Sequence, residues 1–96
     1  MDEEIKQDIV ALGRKAHDLT ESAYRLHPAT RGSPGWPEKQ RLLLADMALH
    51  LLQTALRDGP LAADELKRNL YAILTVSEQF VPEHGLKASA DRLYQQ

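Results

Sequence analysis

The sequence predicts an all-α fold: an antiparallel helical bundle of three long helices and a short C-terminal one, in a single domain over residues 1–96. Three observations carry that prediction. Apolar residues recur at gaps of three and four along the long segments. Prolines and glycines gather between those segments. No stretch alternates apolar and polar residues with a period of two, so no sheet is expected.

The first helix is expected over about 3–27. Ile5, Ile9, Leu12, Ala16, Leu19, Ala23 and Leu26 follow one another at alternating gaps of four and three, a heptad seam without a miss. On a helical wheel they make a narrow stripe, about 100° wide. Asp2, Glu3 and Glu4 lie at the positive end of the helix dipole. A second side of this helix, roughly 100° from the seam, carries Val10, Gly13, His17 and Tyr24. Val10, His17 and Tyr24 are therefore candidate contacts to a second chain.

Residues 28–36 hold Pro28, Gly32, Pro34 and Gly35, a composition no helix survives. The second helix is expected over about 37–57, with Pro37 in its first turn. From Leu42 to Leu56 its apolar side chains sweep well over half the circumference, more than one neighbouring helix covers. Its continuous polar strip is Lys39, Asp46, His50, Gln53 and Arg57, which reads as the solvent face. Asp58-Gly59-Pro60 closes the helix, and so short a turn makes the next helix an antiparallel neighbour. That third helix is expected over about 61–80, packing through Ala63, Leu66, Leu70, Ile73, Leu74, Ser77 and Phe80. Pro82 ends it. The fourth is expected over about 86–94, with Leu86, Ala90 and Leu93 facing inward.

Composition bounds the function. An apolar share of 43% and a charged share of 27% are those of an ordinary soluble protein. A net charge of −2 gives no global attraction to nucleic acid or an anionic membrane. The absence of cysteine excludes disulfides, thiolate catalysis and cysteine-based zinc sites. The acidic start, Met1-Asp2-Glu3-Glu4, is unlike a secretory signal, and no run is long enough to span a bilayer. The expected location is the cytoplasm.

Four constellations bear on chemistry. His17 with Glu21, and Asp46 with His50, are spaced four apart on adjacent helices, as metal ligands in bundles are. The wheel turns both pairs outward, so they read as surface pairs; no metal, cofactor or catalytic residue is expected. Neither His17 nor His50 has a downstream cation to hold a phosphoryl group, which argues against phosphotransfer. Arg14, Lys15, Arg25, Lys67 and Arg68 fall outside the apolar arcs, so no cationic clamp for a dicarboxylate forms. The fourth is the stretch from Arg25 to Arg41, where Arg25, Arg31, Lys39 and Arg41 face a single acid, Glu38, and Trp36 sits among them. Trp36 reads first as a staple onto the start of the second helix. Together with the four cations it forms the candidate partner surface.

The functional expectation is a non-enzymatic protein–protein interaction module of the adaptor, inhibitor or antitoxin/immunity kind. The surplus apolar surface is expected to be covered by self-association, most simply as a two-fold homodimer. One alternative is a nucleic-acid-associated regulator using the basic stretch, disfavoured by the acids Asp64 and Glu65 opening the third helix. A small helical enzyme or phosphotransfer protein is the other.

Overall fold

The computed structural model describes residues 1–95. Its elements are α1 (Glu3–Leu26), α2 (Trp36–Leu56), α3 (Ala63–Ser77) and α4 (Leu86–Arg92), with no strand among the described residues. Asp2 caps α1 by accepting from the backbone N–H groups of Glu4 and Ile5. Pro37 sits in the first turn of α2, which starts one residue earlier than expected. Gly59, at φ +87°, makes the turn out of α2 that a side chain would strain. The third helix is shorter than its apolar pattern. Leu61 and Ala62 precede it, Ala62 being extended, and after Ser77 the chain turns so that the N–H groups of Phe80 and Val81 both reach the Ser77 carbonyl. Pro82 disfavours helical backbone at Val81.

Cross-helix partners run in opposite directions along each pair, so the helices form an antiparallel meander. Lys6 meets Asp58, His17 meets His50 and Thr20 meets Asp46 across α1 and α2. Arg57 meets Glu65, and Gln40 meets Gln79, across α2 and α3. Tyr71 meets Lys87 and Asp91 across α3 and α4. Each helix packs only against its neighbours in sequence: α1 does not touch α3, and α4 touches neither α1 nor α2. The bundle is therefore an open row.

An open row buries little. The radius of gyration is 15.1 Å, against about 12.5 Å for a compact chain of this length. Among the described residues Ala90, where α4 packs on α3, is the one buried hydrophobic residue. No large side chain among the described residues is fully buried. The leucines of α2 are half-buried, with Leu42, Leu43, Leu44, Leu49, Leu51 and Leu52 all partly covered. The short fourth helix does not finish that coverage, because it lies on the far side of α3.

The seam of α1 is where expectation and structure part most. Ile5, Leu12, Leu19 and Leu26, seven apart, are each more than half exposed. The row shifted by one residue packs on α2 instead: Lys6, Val10, Gly13, His17, Thr20 and Tyr24, which share the same gaps of three and four. Val10, His17 and Tyr24 thus lie on the α2-facing side of α1, each partly covered. At Gly13 the approach is closest, since an added Cβ would lie 2.7 Å from Cδ2 of Leu52.

Candidate functional site between α1 and α2

The polar strip of α2 is not a solvent face. Asp46 is buried, and Lys39, His50 and Gln53 are partly covered. The wheel correctly groups these residues on one side of the helix, but which side turns to a neighbour is decided by what the neighbour offers. The α1 row offers a hydroxyl and an imidazole at matching heights. The Thr20 hydroxyl stands 2.7 Å from Asp46 Oδ1 and 3.0 Å from the His17 carbonyl, an acceptor on each side of its single proton.

The two histidines meet through their Nε2 atoms, 2.8 Å apart, with rings edge to face at 85°. One ring nitrogen donates and the other accepts. Asp46 reaches towards both: Oδ1 is 3.4 Å from His17 Nε2, and Oδ2 is 3.5 Å from His50 Nε2. Glu21, one turn along α1, brings Oε2 to 3.7 Å from the same His17 nitrogen. Both pairs that the sequence places four apart therefore converge on one point, correcting the outward placement. His17, Asp46 and His50 each present an atom within 4.8 Å of the others. Chemically the set is two imidazoles and a carboxylate, the donors a divalent transition metal takes.

Burial is graded across the cluster. The side chains of Asp46, His17 and His50 are 8%, 14% and 44% exposed. His50 also lines a groove of about 450 Å³ between α2 and α3, with Met47, Thr54, Arg68 and Asn69. The Asn69 side-chain oxygen there is buried without a hydrogen-bond partner. A second groove, about 350 Å³, lies at the α1–α2 end beside Lys6, Val10, Arg14 and Leu56. The Lys6 ammonium closes on Asp58 at 2.9 Å, and that bond raises its pKa above the ordinary lysine value.

The residues of the basic stretch have different surroundings. Lys39 folds inward, donating to the Ala29 carbonyl and standing 5.0 Å over the Tyr24 ring. Arg25 lies 3.8 Å from Glu21 on its own helix. Arg31 and Arg41 are exposed, and Trp36 is partly buried as the first residue of α2, tied to Ser33 through its backbone N–H. Glu38 sits 3.6 Å from His27. The loop is thus tied to the start of α2 by the Trp36 backbone and the Lys39 side chain.

No protein-family model, curated protein or solved structure matches this chain.

Proposed function

We propose that the chain is a non-enzymatic protein–protein interaction module whose fold is completed by a second copy of itself. The observation that supports this is surface area. A compact monomer of 10.8 kDa exposes about 5,500 Å², whereas this chain exposes 6799 Å². The surplus, roughly 1,250 Å² by the same scaling, exceeds the ~800 Å² that each partner contributes to a standard interface. The surplus has an ordered apolar component: Ile5, Leu12, Leu19 and Leu26 form a rail along the outer edge of α1. With Ile9, Ala16 and Ala23 between them, these are the alternating positions of a coiled-coil seam, leucines or isoleucine at one and small or branched residues at the other.

Two such rails brought together across a two-fold axis cover one another with identical surfaces. The same pairing shelters part of α2, whose leucines the row leaves half-covered. The chain has no cysteine, and no helix among the described residues is long and apolar enough to cross a membrane. Sedimentation equilibrium at micromolar concentration tests the proposal: a dimer, shifted to monomer by Leu12→Glu with Leu19→Glu, is expected. A monomer at high micromolar concentration overturns it, as does a dimer that the double substitution leaves intact.

A further inference from the structure

We infer that His17, Asp46 and His50 form a binding site for one divalent transition metal ion of the zinc class, clipping α1 to α2 within a single chain. The inference goes beyond the pairing proposal and does not depend on it. All three ligands belong to one row of contacts inside one chain.

Hydrogen bonding alone explains only part of the geometry. The contact between the two imidazoles, at 2.8 Å, is a normal hydrogen bond. The contacts of 3.4 and 3.5 Å from the Asp46 oxygens to the imidazoles are not. They are longer than such bonds and too short to admit a water between them. Ligand atoms about 2.0–2.1 Å from a tetrahedral zinc stand roughly 3.3–3.4 Å from one another. The 2.8 Å between the two Nε2 atoms is shorter than that edge, and the 3.4 and 3.5 Å separations, which run to different Asp46 oxygens, lie close to it. Both histidines present Nε2, and one ligand atom from each of His17, Asp46 and His50 lies within 4.8 Å of the others.

The charge argument is independent of the distances. Asp46 is a carboxylate more than nine-tenths buried, and among the described residues no lysine or arginine stands within ion-pair reach of it. A buried carboxylate without a cationic partner is costly unless a cation meets it. Two histidines and a metal ion supply that cation, while histidines alone supply it only by taking up protons. Thr20 completes the arrangement from outside. Its hydroxyl holds Asp46 Oδ1 at 2.7 Å, the orienting bond that ligating carboxylates commonly receive. Thr20 is thus a positioning residue.

The fourth coordination place falls to water or to Glu21, whose carboxylate is 3.7 Å from His17 Nε2 and half-exposed, free to swing inward. His50 opens on the α2–α3 groove, which gives an ion a way in. Zinc suits the donor set, since it accepts imidazole and carboxylate together and tolerates a three-ligand protein set with one open place.

The test is calorimetric titration of the full-length, chelator-treated chain with zinc sulfate at neutral pH, with melting followed by circular dichroism. One ion per chain is expected, with a higher melting temperature when it is bound. His50→Ala, at a half-exposed position that leaves the helices intact, and Asp46→Asn, which keeps an acceptor for Thr20, should each weaken binding more than tenfold. Thr20→Val should weaken it about tenfold while leaving one ion per chain. His84→Ala, remote from the site, should change nothing. The inference is overturned if the chain shows no saturable zinc binding, if either ligand variant with native helix content binds within tenfold of the parent, or if the ratio is one ion per two chains. A monomer that binds one zinc would remove the pairing proposal and keep the site.

Discussion

Two adjacent rows of α1 differ in what they carry and where they point. The row from Lys6 through Gly13, His17 and Thr20 to Tyr24 is mostly polar or small, and it packs against α2. The row from Ile5 through Leu12 and Leu19 to Leu26 is apolar and faces away from the chain. An isolated globular domain does the reverse, because burying apolar surface is the main drive to fold. Polar contacts inside a single chain are specific but contribute only about 0.5–1.5 kcal/mol each. The comparison teaches that the inner row aligns two helices, while the outer row carries apolar surface that the chain itself leaves uncovered.

The largest effect that tests this contrast is on the outer row. For an exposed position in a monomer, a surface substitution changes stability by no more than about 0.5 kcal/mol. If the rail is an interface core, Leu12→Glu with Leu19→Glu should cost about 2 kcal/mol or more, and the loss should vary with protein concentration. Chemical denaturation at two concentrations measures both. A small, concentration-independent change would erase the contrast between the rows.

Next in size is the inner row. Asp46→Ala removes an acceptor from Thr20 and a neighbour from both histidines, and should destabilise the metal-free chain by about 1–3 kcal/mol. Unlike the rail, this cost should not depend on concentration. Urea unfolding with chelator present separates the two cases.

Gly13→Ala is a finer probe of how closely the inner row must approach. The added methyl collides with Cδ2 of Leu52, the mobile tip of a half-buried side chain. Alanine is favoured over glycine in a helix interior by about 1 kcal/mol. That gain should offset most of the cost of moving Leu52, leaving stability within about 1 kcal/mol of the parent by the same scale. A thermal melt checks it, and a large loss would mean that Leu52 has nowhere to go.

The smallest effect lies at the far end of the row, where α4 rests on α3. The Lys87 ammonium bonds Asp91 and the Tyr71 hydroxyl, each at 2.6 Å. The Asp91 bond, then the tyrosine, raises the lysine's pKa above its ordinary value; the lysine lowers that of Asp91. A lowered carboxyl contributes its stability above the ordinary carboxylate range and loses it as pH falls through the folded value. A raised amine contributes below the ordinary lysine value and loses it as pH rises through the higher folded one. Hydrogen exchange of α4 should therefore quicken modestly in acid and again in strong base, while that of α2 stays protected. Uniform loosening of all four helices at either extreme would argue against a local clasp.

Helix existence and most boundaries are legible in the sequence because they are set locally. Asp2 caps α1, Pro37 opens α2 and Gly59 turns the chain out of it, and each acts within a few residues of itself. The apolar pattern overran α3 because Phe80 continues the spacing after Ser77, whereas the chain already turns there, ahead of Pro82. The residues of the site are legible too, as two pairs spaced four apart. Their orientation is not. A wheel tells which residues share a side, and the usual assumption then sends the polar side to water. Here the partner row on α1 is itself polar, so His17, Asp46 and His50 satisfy one another inside, and the assumption fails for both helices at once.

The row-like order of the helices also has a kinetic side. Every helix–helix contact links helices adjacent in sequence, so the loops that must close are short and the contact order is low. Hairpins of this kind form without waiting for distant parts of the chain, on the microsecond to millisecond scale of local helical folds. Joining two copies is a second-order event, slower at low concentration. Under the proposed pairing, refolding should thus show a fast helical phase independent of concentration, followed by a slower one that speeds up as chains are added. A single concentration-independent phase would count against the pairing.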